Sequence, residues 1–176
     1  MDEVADVLRM SKTSIYKRFY NKNSLMEAVC KNYMKMLVTE MDIIEQNDSL
    51  TVIKKITSLL TIIGKYQARI NQKVALDLRK HCPKLYGSIY NEYDHILRTQ
   101  FFKYLNEGKR KGVFREDLNS ALIYFSFIAS TKTILCKEFL MDHPFSDVEA
   151  LQSLIQLHLH GILVINNIDF VQKEGE

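Results

Sequence analysis

Five basic side chains near the start of the sequence have the chemistry to contact a polyanion. The segment from residue 9 to residue 22 contains no Asp or Glu, and its basic residues are Arg9, Lys12, Lys17, Arg18 and Lys22. Their ammonium and guanidinium groups donate to phosphate oxygens, and neighbouring hydroxyls reach base edges. A solvated charged face would show the same composition, so the elements that position these residues must decide between the two interpretations.

Two short helices separated by a tight break are predicted to carry this basic segment. Residues 1–8 place Val4, Ala5 and Leu8 on one helical face. After the break at 9–11, Ser11 is a suitable N-cap for a second helix from Lys12 to about residue 18, which buries Ile15 and Phe19. This spacing predicts a helix-turn-helix, a unit that fits the major groove of duplex DNA.

The exposed face of the second helix supplies the candidate DNA contacts, which are Lys12, Thr13, Ser14 and Lys17. Asn21 is the predicted N-cap of a third, long helix from Lys22 to about Gln46. Lys22 lies in its first turn, where unpaired backbone amides already favour a phosphate. The apolar positions of this helix recur at three to four residues and are Leu25, Val29, Tyr33, Met36 or Leu37, Met41 and Ile44.

The rest of the sequence predicts five further helices and an all-α fold, because six Gly and two Pro in 176 residues leave few turns for strands. The predicted helices cover about 50–64, 66–81, 85–110, 120–141 and 147–168. Gly64 is expected to end the first of them, and Pro83 stops the second. We expect the segment 120–141 to be central because it is the most apolar. The β-branched segment 162–165 has no partner strand.

Several function classes have no support in the sequence. The three cysteines, at 30, 82 and 136, are too widely spaced for a disulfide framework or a paired-thiolate zinc site. His158 and His160 point about 200° apart on a helix and cannot share a metal. No membrane span, secretion signal, phosphate loop or nucleophile motif is present, so we expect a cytoplasmic protein without cofactor or metal, and not an enzyme.

Three segments closely resemble the DNA-binding domain of the TetR family of regulators: residues 2–5 (DEVA), 11–19 (SKTSIYKRF) and 22–25 (KNSL). The spacing Tyr-x-x-Phe-x-x-Lys-x-x-Leu is a specific signal of that domain, and residues 108–118 resemble the turn that ends the family's long seventh helix. The resemblance implies that Ser11, Lys12, Thr13, Ser14 and Lys17 belong to the recognition helix, whereas Tyr16 and Lys22 hold phosphates.

The sequence departs from the family pattern at two places. Arg9 stands where the family has a glycine in a left-handed turn, a conformation that is uncommon for other residues. The family's fold also begins with a helix that packs behind the two short ones, whereas this sequence starts at the second. We therefore expect residues 1–30 to be an N-terminally incomplete helix-turn-helix domain and DNA binding by these 176 residues to be impaired.

The resemblance further implies that residues 31–176 bind a ligand and form a homodimer. An aromatic stripe that is first of all core supplies the candidate lining of a cavity for a small apolar or aromatic effector: Tyr66, Tyr93, Phe101 and Phe125. The last two helices carry more apolar surface than a monomer could cover, and in the family they form a four-helix interface across a two-fold axis. The predicted function is a ligand-responsive repressor of a DNA operator. The alternative is a helical small-molecule-binding or interaction protein without DNA-binding activity.

Overall fold

The computed structural model describes residues 1–69 and 72–164, and this part of the chain is a bundle of nine helices. The helices are α1 Asp2–Val7, α2 Lys12–Tyr16, α3 Lys22–Glu45, α4 Val52–Arg69, α5 Gln72–His81, α6 Pro83–Arg110, α7 Ser120–Ile134, α8 Lys137–Met141 and α9 Asp147–Ile162. The predicted all-α class is confirmed. In the described residues the β structure amounts to one isolated antiparallel bridge between Phe114 and Leu163.

Side-chain caps start the helices that position the basic segment. The Ser11 hydroxyl accepts from the amide of Ser14 and caps α2, as predicted. At α3, Asn21 and Ser24 form a capping box in which each side chain accepts from the other residue's amide. These caps use backbone donors that would otherwise have no intrahelical partner, and they fix where each helix begins.

Helix α4 lies at the centre of the bundle, against α3, α6, α7 and α9. Its buried positions recur with helical period and are Val52, Ile56, Leu59, Leu60, Ile62, Ile63 and Tyr66. The expectation that 120–141 would be the central helix is wrong. One side of α7 is open to solvent, with Leu122 70% and Phe125 48% exposed.

Several helix boundaries differ from those predicted. Helix α4 continues through Gly64 because that glycine is a packing residue: an added Cβ would lie 2.1 Å from Cδ1 of Leu151 on α9. The segment 120–141 is two helices, α7 and α8, because the chain leaves the helical conformation at Leu135 and is extended at Cys136, the N-cap of α8.

The end of α9 also differs from the prediction. Helix α9 stops at Ile162, Leu163 is extended, and the amide of Val164 donates to the carbonyl of Val113. The turn after α6 therefore provides the backbone pairing partner of Leu163 and Val164. The sequence alone contains no sign of this partner. The predicted helical residues 165–168 lie outside the described residues. On α3, Val29 and Met36 are exposed, and Met34 takes a buried position instead.

Candidate nucleic-acid interface

The turn between α1 and α2 is held by backbone hydrogen bonds around a left-handed residue. Arg9 has φ +50°, as expected for the position where the family has glycine. The amide of Arg9 donates to the carbonyl of Asp6, and the amide of Met10 donates to that of Ala5. This pair of bonds is a Schellman motif, which ends α1 sharply and turns the chain into α2. Ala5 and Ile15 are buried where the two helices pack.

Most of the polar side chains predicted to contact DNA are exposed on α2 and just beyond it. Lys12, Thr13 and Lys17 face solvent, and Tyr16 is 47% exposed. Lys22, the first residue of α3, is exposed as well. These five side chains thus come from α2, its C-cap and the start of α3, and the Ser11 cap, the α3 capping box and the α1 turn fix the backbone that carries them.

Two of the predicted DNA-contacting residues have structural roles. The hydroxyls of Ser11 and Ser14 are 2.9 Å apart and hydrogen-bonded, and Ser11 caps α2. Ser14 is half-buried. Their hydroxyls therefore stabilise the start of α2 in the free protein, which leaves Thr13 as the exposed short hydroxyl on this face.

Lys12 has an intramolecular partner that sequence reasoning missed. Its ammonium forms an ion pair with the Asp2 carboxylate of α1, and both side chains are more than half exposed. An exposed pair of this kind contributes little to folding stability. A DNA contact by Lys12 would require it to exchange Asp2 for a phosphate or base edge, so Asp2 would compete with the nucleic acid.

Three of the four aromatic residues predicted to line a ligand cavity are buried, and the fourth is partly exposed. Tyr66, Tyr93 and Phe101 are buried in the bundle. Phe125 is 48% exposed on α7, and its ring packs against Tyr124, which in turn packs against Phe101. A groove of about 530 Å³ lies instead between α3 and α6, and none of the four lines it; its apolar lining is Met34, Val38, Leu85 and Ile89.

The buried tyrosine hydroxyls of the bundle have acidic partners, with one exception. Tyr66 donates to Glu40 (3.2 Å), and Tyr124 donates to Asp94 (3.1 Å). The hydroxyl of Tyr93 is buried and has no hydrogen-bond partner in the described part of the chain. Burial raises the pKa of Tyr93, so its hydroxyl stays protonated at neutral pH and can donate. A buried donor without a partner is costly, and such groups often receive a water or a ligand.

Glu45 connects the end of α3 to α6, a link that sequence reasoning missed. Its carboxylate accepts from Gln100 (2.6 Å) and Tyr104 (3.0 Å) and forms an ion pair with Lys103. The Lys103 ammonium holds the pKa of Glu45 below its ordinary value, while burial raises the pKa of Tyr104 to about 12. An acidic residue at a helix end is usually solvated, so no sequence signal distinguishes this one.

Metal and membrane sites are not found in the part of the chain described. No group of three or more His, Cys, Asp or Glu side chains is placed to hold a metal ion among residues 1–69 and 72–164. Within those same ranges, no helix combines the length and apolar character that a bilayer crossing needs. The three cysteines are half-buried and unpaired.

The sequence and the fold are both similar to those of known regulators. No family model matches the sequence. The chain is 25% identical over 173 residues to YvaF of Bacillus subtilis (strain 168), an uncharacterised HTH-type transcriptional regulator, covering 96% of this chain and 88% of that protein.

Two solved structures share the fold. One is the ketosteroid transcriptional regulator KstR2 of Mycobacterium tuberculosis (TM-score 0.68, 18% identity, covering 92% of this chain and 83% of that one). The other is the fatty acid degradation regulator FadR of Bacillus halodurans (TM-score 0.65, 22% identity, covering 91% and 83%). These two comparisons show that the chain shares an all-α fold with both regulators.

Proposed function

We propose that this TetR-like chain is a sequence-specific DNA-binding transcriptional regulator, and that a small molecule controls it as a repressor. The observation that carries the proposal is the α1–turn–α2 unit, which presents Lys12, Thr13, Tyr16 and Lys17 on one exposed surface followed by Lys22. The regulators that the chain resembles favour this function over a helical binding protein without DNA activity, and none of them is named as an enzyme.

The exposed side chains divide into two roles by their chemistry. Thr13 and Lys12 lie in the first turn of α2, the part of a recognition helix that reaches base edges. Tyr16, Lys17 and Lys22 lie farther along and donate to phosphates, which sets the register on the duplex without reading sequence. Ser11 and Ser14 contribute by holding α2 in shape, since their hydroxyls bond to each other.

Selection from a randomised duplex library tests the proposal directly. The wild-type chain is expected to enrich one motif, and Thr13→Ala is expected to change the preferred base at one position of each half-site. Lys17→Gln is expected to weaken binding to all sequences alike and to reduce the salt slope of log K by about 0.9, the value for one phosphate contact. Repeated selection at high protein concentration recovers a preferred motif even where affinity is impaired, so failure to enrich any motif under those conditions would refute the proposal.

A homodimer that forms through α7 and α9 would bring two α1–turn–α2 units to the two half-sites of a DNA operator. Exposed apolar side chains on these helices are Leu122, Phe125, Val148 and Leu157. The hydroxyl of Ser126 on α7 lies 3.2 Å from His158 Nε2 on α9, so the adjacent residues Phe125 and Leu157 belong to the same junction. An apolar surface of this kind on two packed helices is what a two-fold interface covers.

The region beyond residue 30 is proposed to hold the effector site and the dimer contacts, although the 30/31 boundary falls inside the continuous helix α3. The buried Tyr93 hydroxyl has no hydrogen-bond partner within residues 1–69 and 72–164, which supports an apolar or aromatic effector that carries one hydrogen-bond acceptor. A thermal-shift screen of steroid and acyl compounds tests this proposal, and an absence of any shift would contradict it.

Helix α3 is the element that could couple an effector to DNA. It bears Lys22 at one end, and Glu45 at the other end is bonded to α6. Between them, Tyr33 donates to the carbonyl of Tyr66 on α4. An effector that shifts α4 or α6 would therefore tilt α3, change the separation of the two DNA-binding units in a dimer and weaken operator binding. We place this regulator in the cytoplasm, where its operator DNA is found.

A further inference from the structure

A second basic cluster lies at the junction of α5 and α6, outside the helix-turn-helix. We call it the junction patch, and its residues are Arg79, Lys80, His81 and Lys84. The sequence from 78 to 91 contains no Asp or Glu. All four patch side chains are exposed, and none of them forms an ion pair in the described part of the chain.

The fold places this junction against the start of α3. Cys82 lies between the two halves of the patch, and its thiol donates to Oδ1 of Asn23 at 3.4 Å. Asn23 is the second residue of α3 and directly follows Lys22, the proposed phosphate contact. The contact therefore sets two acid-free basic segments, one from the helix-turn-helix and one from the bundle, side by side.

Helix stability explains only part of this cluster. Arg79, Lys80 and His81 occupy the last turn of α5, where cations interact favourably with the helix dipole. Lys84, however, lies in the first turn of α6, where a positive charge is unfavourable. The nearby acid, Asp77, points about 200° away from Arg79 around α5, whereas it lies one helical turn before Lys80 and His81 and offsets part of their charge.

We propose that the junction patch is an additional contact to the phosphate backbone of duplex DNA, beside the phosphates that Lys22 holds. This inference rests on the proposed DNA-binding function. Duplex DNA carries one phosphate per 3.4 Å on each strand, so a cationic surface next to a bound unit meets further phosphates. Such contacts carry no sequence information, and they strengthen specific and non-specific binding alike.

The test measures the salt dependence of binding to a fluorescein-labelled, mixed-sequence duplex of about 40 base pairs, four helical turns. Removing two phosphate contacts per protomer with the double variant Arg79→Gln/Lys80→Gln is expected to reduce the slope of log K against log salt by about 1.8 for each protomer bound, or about 3.6 for a dimer. The conservative swap Arg79→Lys/Lys80→Arg is expected to retain the wild-type slope, because the charge is kept.

The matched control removes the same two residue types from the opposite end of α6. Arg110→Gln/Lys111→Gln lies roughly 39 Å from Lys84 at 1.5 Å per residue and is expected to leave the slope unchanged. Thermal unfolding of each variant establishes that it is folded. An equal loss of slope in this control would overturn the proposal, because it would show a response to net charge alone.

Lys17→Gln, measured in the same series, distinguishes an error in the junction-patch proposal from an error in the proposed DNA-binding function. If Lys17→Gln lowers the slope and Arg79→Gln/Lys80→Gln does not, the junction patch does not touch DNA and only this inference is wrong. If the wild-type chain binds no duplex at all, the DNA-binding function itself is contradicted.

Discussion

Replacing Gly108 with alanine is expected to destabilise the bundle, because the α6 backbone at this glycine lies directly against the ring of Phe114. A Cβ added at Gly108 would lie 2.0 Å from Cδ2 and 2.3 Å from Cε2 of that ring. Phe114 is 1% exposed, and its neighbours Val113 and Arg115 are hydrogen-bonded to the end of α9. The ring is rigid and enclosed, so the backbone or the turn must move to admit the methyl group.

The expected cost follows from two opposing effects. Overpacking a core typically destabilises by about 1–3 kcal/mol, and contacts this short put Gly108→Ala in the upper half of that range. Alanine gains about 1 kcal/mol over glycine in a helix, so the net loss is about 1–2 kcal/mol. For a chain of this size that corresponds to a lower melting temperature by roughly 2–8 °C.

Gly87 provides the matched control, because it lies on the same helix and has nothing within 4 Å of an added Cβ. Gly87→Ala is expected to stabilise by about 0.5–1 kcal/mol through helix propensity alone. Urea unfolding followed by circular dichroism measures both variants. If Gly108→Ala proved as stable as Gly87→Ala, the close packing of α6 on the Phe114 turn would be refuted.

Three further predictions concern the DNA-binding unit, the α3–α6 link and the dimer. Asp2→Asn removes the ion-pair partner of Lys12. This variant is expected to raise the affinity for duplex DNA up to about fivefold, as measured by fluorescence anisotropy. Unchanged affinity would show that Asp2 does not compete with DNA for Lys12. Glu45→Gln is expected to lower the free energy of unfolding by about 0.5–1 kcal/mol at pH 7, since the carboxylate is partly exposed. Because Lys103 lowers the pKa of Glu45 in the folded state, that difference should vanish as the pH falls below the ordinary value of 4.5, and a pH-independent difference would contradict the assignment. Leu157→Asp is expected to give the mass of a monomer by light scattering. The control Leu76→Asp, at a similarly exposed leucine on α5, is expected to keep the mass of a dimer. A dimeric mass for both variants would place the interface elsewhere.

Local chemistry explains why the DNA-binding unit could be predicted from sequence. Ser11 and Asn21 cap the helices that follow them. Each of these features depends on residues within four positions along the chain. Boundaries set by such local hydrogen bonds are therefore readable from the residue order.

Features that depend on distant contacts could not be predicted in the same way. Gly64 has the appearance of a helix end, but its role is to admit Leu151 from α9. Phe125 is as apolar as Phe101, and only the packing of α7 determines that one is exposed and the other buried. The partners of Glu45 are more than fifty residues away in the sequence, so no spacing rule connects them.

The placement of DNA against α2 is the claim on which the regulatory function depends most directly. Hydrogen–deuterium exchange of the chain, alone and with a saturating duplex, reports on it residue by residue, because amides of so short a helix exchange readily until a ligand orders them. We predict slower exchange in the segment 11–22 on adding DNA. Unchanged exchange there, with protection confined to α7 and α9, would contradict the account.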